Sequence, residues 1–172
     1  MTVVPSTYPV STIPYVISYL TTQFQTYLSQ DANPEYITLF VGNDPGLPDT
    51  PDLVAIVNVA RNLEHFAMVG SGQNLAMYEK YAVYVRISSA QRAATQAEAS
   101  AALIPRVYQL LSYLEYAVRV DPSLGMTAPP DNGGTMLTAW PGQTQGGLVE
   151  VAPDNNGWIC ELSWKVDCEA TQ

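Results

Sequence analysis

Trp158-Ile159-Cys160-Glu161-Leu162-Ser163-Trp164-Lys165-Val166-Asp167-Cys168 is the stretch that decides the fold. Every even position is apolar, and every odd position from Glu161 through Ser163, Lys165 and Asp167 to Glu169 is polar. A strict period of two marks a half-buried strand, one face on a core and the other in water. Fully extended, the stretch spans on the order of 35 Å, long for a small domain. Such a strand needs a helix over its apolar face, and its length suggests a neighbouring subunit along part of it. Cys160 and Cys168 share the apolar face, but eight extended residues hold them roughly 26 Å apart, too far for a disulfide.

Working back from this strand, Leu148–Val151 reads as its hairpin partner across Asp154-Asn155-Asn156-Gly157. Residues 121–147, rich in Gly, Pro, Thr and Asn from 123 on, read as a long loop. The cover for the apolar face lies before that loop. Leu103, Val107, Leu110, Leu111, Leu114 and Val118 form an apolar stripe at helical spacing, behind the capping box Thr95-Gln96-Ala97-Glu98. Pro105 inside the stripe predicts a kink or a broken start, and Asp121-Pro122 ends the helix.

Further upstream, Glu79–Ser88 alternates, with Tyr81, Val83, Val85 and Ile87 on one face and Lys80, Tyr84, Arg86 and Ser88 on the other. Leu53–Ala60 is apolar on both faces, as a central strand is. Tyr36–Val41 and Glu64–Val69 are short strand candidates, and Gly42–Asp52, with three prolines, is a loop. A first helix is predicted from Pro14 to Ser29, capped by Thr12. Residues 1–12 form an extended arm, and 13–170 one domain. The succession predicts an α+β fold, a mostly antiparallel twisted sheet with two helices packed on one face.

The chain has 172 residues and a net charge of −9, with seven basic residues scattered along it. With no basic patch to neutralise phosphates, it is a poor candidate for binding DNA directly. Charged residues make up 13%, about half the usual share, and 11 tyrosines are many. A surface this neutral fits a protein that covers much of itself with partners. Two unpaired buried thiols point to a reducing compartment. The first residues lack the pattern of a signal peptide, and no apolar run is long enough for a membrane span. The reading is a soluble protein made in the cytoplasm.

No chemistry-bearing constellation stands out. His65 is the only histidine, no nucleophile-elbow motif accompanies it, and one His with two distant Cys cannot hold zinc. Asn43, Asp44, Asp49 and Asp52 lack calcium-loop spacing and read as turn residues. Gly70-Ser71-Gly72 and Gly133-Gly134 lack a phosphate-loop pattern. Glu161, Asp167 and Glu169 alternate with Ser163 and Lys165 as a solvated strand face. Tyr108, Tyr113 and Tyr116 suit a core rim or a subunit interface. No metal, cofactor or catalytic group is expected.

Three segments carry a resemblance. They are Ala117-Val118-Arg119-Val120-Asp121-Pro122-Ser123-Leu124-Gly125 at the helix end, Gly157-Trp158 with the strand running to Ala170, and Gly70 followed by Tyr78-Glu79-Lys80-Tyr81-Ala82-Val83-Tyr84-Val85. In this order they resemble the tail terminator (tail completion) proteins of long-tailed bacteriophages, especially those of actinobacterial phages. The resemblance implies a non-enzymatic virion protein that assembles as a ring, usually a hexamer, on the head-proximal end of the tail tube. Its implied partners are itself, the tail tube protein and a head-completion (stopper) protein, with DNA passing through the lumen unbound. On that reading the odd face of the last strand (Glu161, Ser163, Lys165, Asp167, Glu169) and the acidic loop (Asp44, Asp49, Asp52) become candidate ring, channel or partner surfaces. The alternatives are a neck or head–tail adaptor protein of similar fold, and a small enzymatic or ligand-binding α+β domain.

Overall fold

A computed structural model of the chain describes residues 11–42, 50–62, 66–68, 75–127, 135–151 and 157–171. Two helices, α1 (Ile13–Leu28) and α2 (Gln96–Val120), pack on one face of a sheet. The strands are β1 (Ile37–Val41), β2 (Asp52–Asn62), β3 (Phe66–Met68), β4 (Leu75–Gln91), β5 (Met136–Val151) and β6 (Trp158–Thr171). Five of them run in the order β1-β2-β4-β6-β5, and β3 pairs with the start of β4. Only β1 and β2 are parallel, so the fold is α+β with a mostly antiparallel sheet.

The alternating stretch at 158–168 is the interior strand β6. Cys160, Leu162, Trp164, Val166, Cys168 and Ala170 are all buried. Burying each large apolar side chain of this kind contributes about 1.5–3 kcal/mol. The cover is double. The stripe Leu103, Val107, Leu110, Leu114 and Val118 of α2 shares the core with Val16, Leu20, Phe24 and Leu28 of α1, and the Phe24 ring packs tilted against Trp164 with centroids 6.2 Å apart. The neighbouring subunit expected along β6 is unnecessary, because β4 and β5 of the same chain pair with it from Trp158 to Thr171.

The expected loop at 121–147 is much shorter than its composition suggests. β5 begins at Met136 and runs sixteen residues. Leu137, Ala139 and Val149 supply buried apolar positions, while glycine and proline mark irregularities within an edge strand. Register shifts fall between Pro141 and Thr144 and between Gly146 and Leu148. Gly146 has φ +92°, and a Cβ there would meet the Glu161 carbonyl oxygen at 2.7 Å, so the bulge requires glycine. Edge strands accept proline and bulges that interior strands reject. The outer edge near the start of β5 is also covered, since Leu137 N–H donates to the Met126 carbonyl and Ala139 N–H to that of Pro122.

That covering turn, Asp121–Met126, is fixed from α1. The Tyr19 hydroxyl donates to Asp121 at 2.6 Å, and the same carboxylate accepts from Ser123 N–H and its hydroxyl. Burial, then the Asp121 contact, pushes the Tyr19 hydroxyl up to about 12, while the hydrogen bonds from Ser123 and Tyr19 hold the Asp121 carboxyl below its ordinary value.

Two local expectations at the helices change. Pro105 does not break α2, which runs unbroken from Gln96 to Val120. Pro105 and Ala101, whose carbonyl loses its helical donor, are both exposed, so the carbonyl lies on a water-facing turn where the loss costs little. Thr12 precedes α1 without capping it, because its hydroxyl is engaged by Glu79 and Tyr81. Thr95 does cap α2, accepting from Glu98 N–H. The Gly70–Asn74 turn, His65, Gly133-Gly134 and most of the arm at 1–12 lie outside the described residues.

Candidate functional site

Among the described residues no helix lies over the sheet face opposite α1 and α2, and this face carries the predicted surface. Register sets its rows across β6 and β4: Glu161 opposite Ser88, Ser163 opposite Arg86, Lys165 opposite Tyr84, Asp167 opposite Ala82 and Glu169 opposite Lys80. On the β5 side, Leu148 faces Glu161, Gln145 faces Ser163 and Trp140 faces Asp167. Period-two alternation brings Glu161, Ser163, Lys165, Asp167 and Glu169 together along one line, as the sequence indicates.

Most charges on this face are paired. Lys165 contacts Asp167 at 2.9 Å and Lys80 contacts Glu169 at 3.1 Å. The hydrogen bond to Glu169, reinforced by one with Tyr78, raises the Lys80 ammonium above its ordinary value; the reciprocal bond from Lys80 lowers Glu169. Exposed pairs of this type contribute little to stability. They make the middle of the face electrically balanced rather than acidic. Arg86 makes no ion pair among the described residues, and its Nε is buried without a hydrogen-bond partner. At one end of the face lies a groove of about 270 Å³, lined by Leu148, Glu150, Ile159, Glu161 and Ser163. Leu148 at its rim is 76% exposed.

Asp52 does not belong to this surface. It is 4% exposed on the helix side, where Arg106 of α2 bonds it through Nε at 2.8 Å and Ser89 donates to it. Arg106 also holds Asp31, with Nη1 and Nη2 at 2.7 and 3.1 Å. Its hydrogen bonds to Asp31 lower that carboxyl against the opposing effect of burial. One guanidinium thus ties together α2, the end of α1 and the start of β2. Asp44 and Asp49 lie outside the described residues.

A second buried charge cluster centres on Glu79, fully buried on the helix side of β4. It accepts from the Ser11 hydroxyl at 2.7 Å, from Thr12 N–H and Thr12 Oγ1 at 2.9 Å each, and pairs with Arg61 Nε at 2.7 Å. Since Thr12 donates to the carboxylate, the Tyr81 hydroxyl donates to Thr12 Oγ1 at 2.8 Å. In both clusters every carboxylate is engaged by fixed donors, the arrangement of structural anchors rather than of groups free to exchange protons with a substrate. Among the described residues no three His, Cys, Asp or Glu side chains converge as a metal site. No described helix is long and apolar enough to cross a membrane.

Sequence reasoning placed Lys80, Tyr84 and Arg86 opposite the core but did not join them to the β6 surface. Nothing local announces which strand pairs with which. Gln145 falls in the stretch that reads as loop, whereas Leu148 and Glu150 lie on the expected strand Leu148–Val151 without any local signal that joins them to this surface.

Of the two helices only α2 carries charge, and its Glu115 and Arg119 pair at 3.0 Å. α1 contains no charged residue, and Tyr15, Tyr108 and Tyr116 stand 45, 46 and 57% exposed. No protein-family model matches the chain, and no curated protein matches it.

Proposed function

We propose that the chain is a structural, non-enzymatic subunit of a phage virion. It forms a ring on the head-proximal end of the tail tube, stops tube growth and presents the surface to which a head-completion protein attaches. The observation that carries this reading is the contrast between the uncharged α1 with its neighbouring exposed tyrosines and the ion-paired sheet face. Interface cores are depleted in charge and enriched in tyrosine, which describes α1, without a charged residue, and the exposed Tyr15, Tyr108 and Tyr116. The open sheet face is lined with balanced ion pairs. Such a surface suits the lumen of a ring, because DNA moving past it finds little fixed charge to hold it.

The resemblance at Ala117–Gly125 and Gly157–Ala170 supports the same reading. In this protein those segments form the end of α2 with the turn over the β5 edge, and the interior strand β6. The partners are other copies of the chain, the tail tube protein and the head-completion protein; the site of action is the head–tail junction.

The test is an assembly experiment. Tail particles made without the protein are expected to be overlong and those made with it uniform in length, with a ring at one end in negative-stain images. Tubes of equal, defined length in both preparations would refute the terminator role. A neck adaptor would instead be captured by the portal-side connector and not by tubes.

A further inference from the structure

The first outward hydrogen-bonding positions of the edge strand β5 are already taken. Leu137 N–H donates to the Met126 carbonyl at 3.1 Å and Ala139 N–H to the Pro122 carbonyl at 2.7 Å, both away from β6, and Thr127 bridges Met136 in the antiparallel sense. Outward donors recur every second residue along an antiparallel edge. The next in the series falls at position 141, still in register opposite Val166, and Pro141 has no N–H to offer. Beyond it come the two register shifts. The Asp121–Met126 turn therefore sits where a further strand would lie.

The edge beneath this turn has none of the charge that often keeps sheet edges apart. No charged residue occurs from Asn132 to Val149, and Met136 and Trp140 stand exposed beside the covered positions. An uncharged edge of this kind is a template for pairing with another chain. Two contacts of different kind hold the turn down. Leu124 is fully buried, but at φ +46°, a backbone conformation unfavourable for leucine. The Tyr19 hydroxyl donates to Asp121 at 2.6 Å and ties the turn to α1.

We propose that Asp121–Met126 is an autoinhibitory strap: it takes the hydrogen bonds on β5 that the β5 strand of a second copy would otherwise take, with the Tyr19–Asp121 bond as its latch. The left-handed leucine stores strain that favours release once the latch is gone. The strap acts within one chain, whether or not copies assemble through other surfaces.

Tyr19→Phe keeps the aromatic ring and removes the latch. In dilute solution, amide exchange at Leu137 and Ala139 is expected to be at least tenfold faster than in wild type, with Val83, Val85 and Ile87 unchanged. At higher concentration, light scattering should show self-association beyond that of wild type. Adding Thr138→Lys, which puts a charge on the edge, should abolish the increase. Unchanged exchange at Leu137 and Ala139 would overturn the latch, and faster exchange with no added association would overturn the autoinhibition. If Tyr19→Phe does not fold, wild type in mild denaturant decides. Leu137 and Ala139 are expected to exchange at least tenfold faster than Val83, Val85 and Ile87, by local opening of the strap. One common rate for all of them would mean that the turn opens only with the whole fold, and the proposal would fail.

Discussion

Arg106 is the residue whose loss should be felt most. It faces two carboxylates, and both Asp31 and Asp52 are buried. Removing one partner of a buried pair costs about 3–5 kcal/mol, because the other charges stay behind uncompensated. Arg106→Met should therefore lower stability by about 3 kcal/mol or more in chemical denaturation, and Arg106→Lys by less. The pH dependence follows from Asp31, whose carboxyl is lowered chiefly by the Arg106 hydrogen bonds. The folded state then binds fewer protons than the unfolded chain just below the ordinary carboxylate value near ~4. The stabilisation is complete above that value and disappears as pH falls through the lowered one. Thermal melts should fall steeply there in wild type and less steeply in Asp31→Asn. The thiols behave oppositely. Burial raises Cys160 and pushes Cys168 up to about 12, so a thiol reagent at pH 8 should label neither in the native protein and both in denaturant. That both cysteines are buried was legible from their places in the period-two pattern. The Arg106 clamp was not, because its members are 54 and 75 positions apart and no local pattern connects them.

At the scale of elements, β6 and α2 were legible because each carries a long unbroken period. β5 was obscured because the features that bend and end an edge strand, Pro141 and Gly146-Gly147, are the same residues that mark loops. The two faces of β6 should respond differently to charge. Leu162→Asp or Trp164→Asp places an unpaired charge in the core and should abolish folding, at a cost of about 4 kcal/mol or more. Ser163→Arg should leave the circular dichroism and the melting temperature essentially unchanged; if the proposed ring forms and this variant also leaves it intact, the polar face of β6 is not a subunit contact. In α2, Pro105→Ala restores a donor for the Ala101 carbonyl on an exposed turn. It should raise stability by up to about 3 kcal/mol. A decrease in the melting temperature would show that Pro105 meets a requirement other than helix stability.

For the molecule as a whole, the architecture sets an ion-paired sheet face against a helix side whose α1 carries no charge and whose α2 carries Glu98, Arg106, Glu115 and Arg119. The α+β class could be read from the order of periodic segments. The candidate surface could be read only in part, because a face shared by β4, β5 and β6 depends on pairings between residues some 80 positions apart in sequence. If the helix face is the subunit contact, Tyr108→Glu or Tyr116→Glu should weaken self-association measured by light scattering without changing the melt of the dilute protein. Unaltered association in both variants would move the contact elsewhere.

The interior place of β6 also bears on how the protein is made. Of the elements described, it is the last to leave the ribosome, yet it lies between β4 and β5 and faces both helices. Until Trp158–Thr171 emerges, the α2 stripe has no complete sheet to rest on and β4 lacks its β6 partner along Tyr78–Gln91. Nascent chains therefore pass through a long interval with exposed apolar surface, in which chaperone capture competes with folding. A message cut short before β6 thus yields a fragment without a closed core, a substrate for proteases rather than a folded protein.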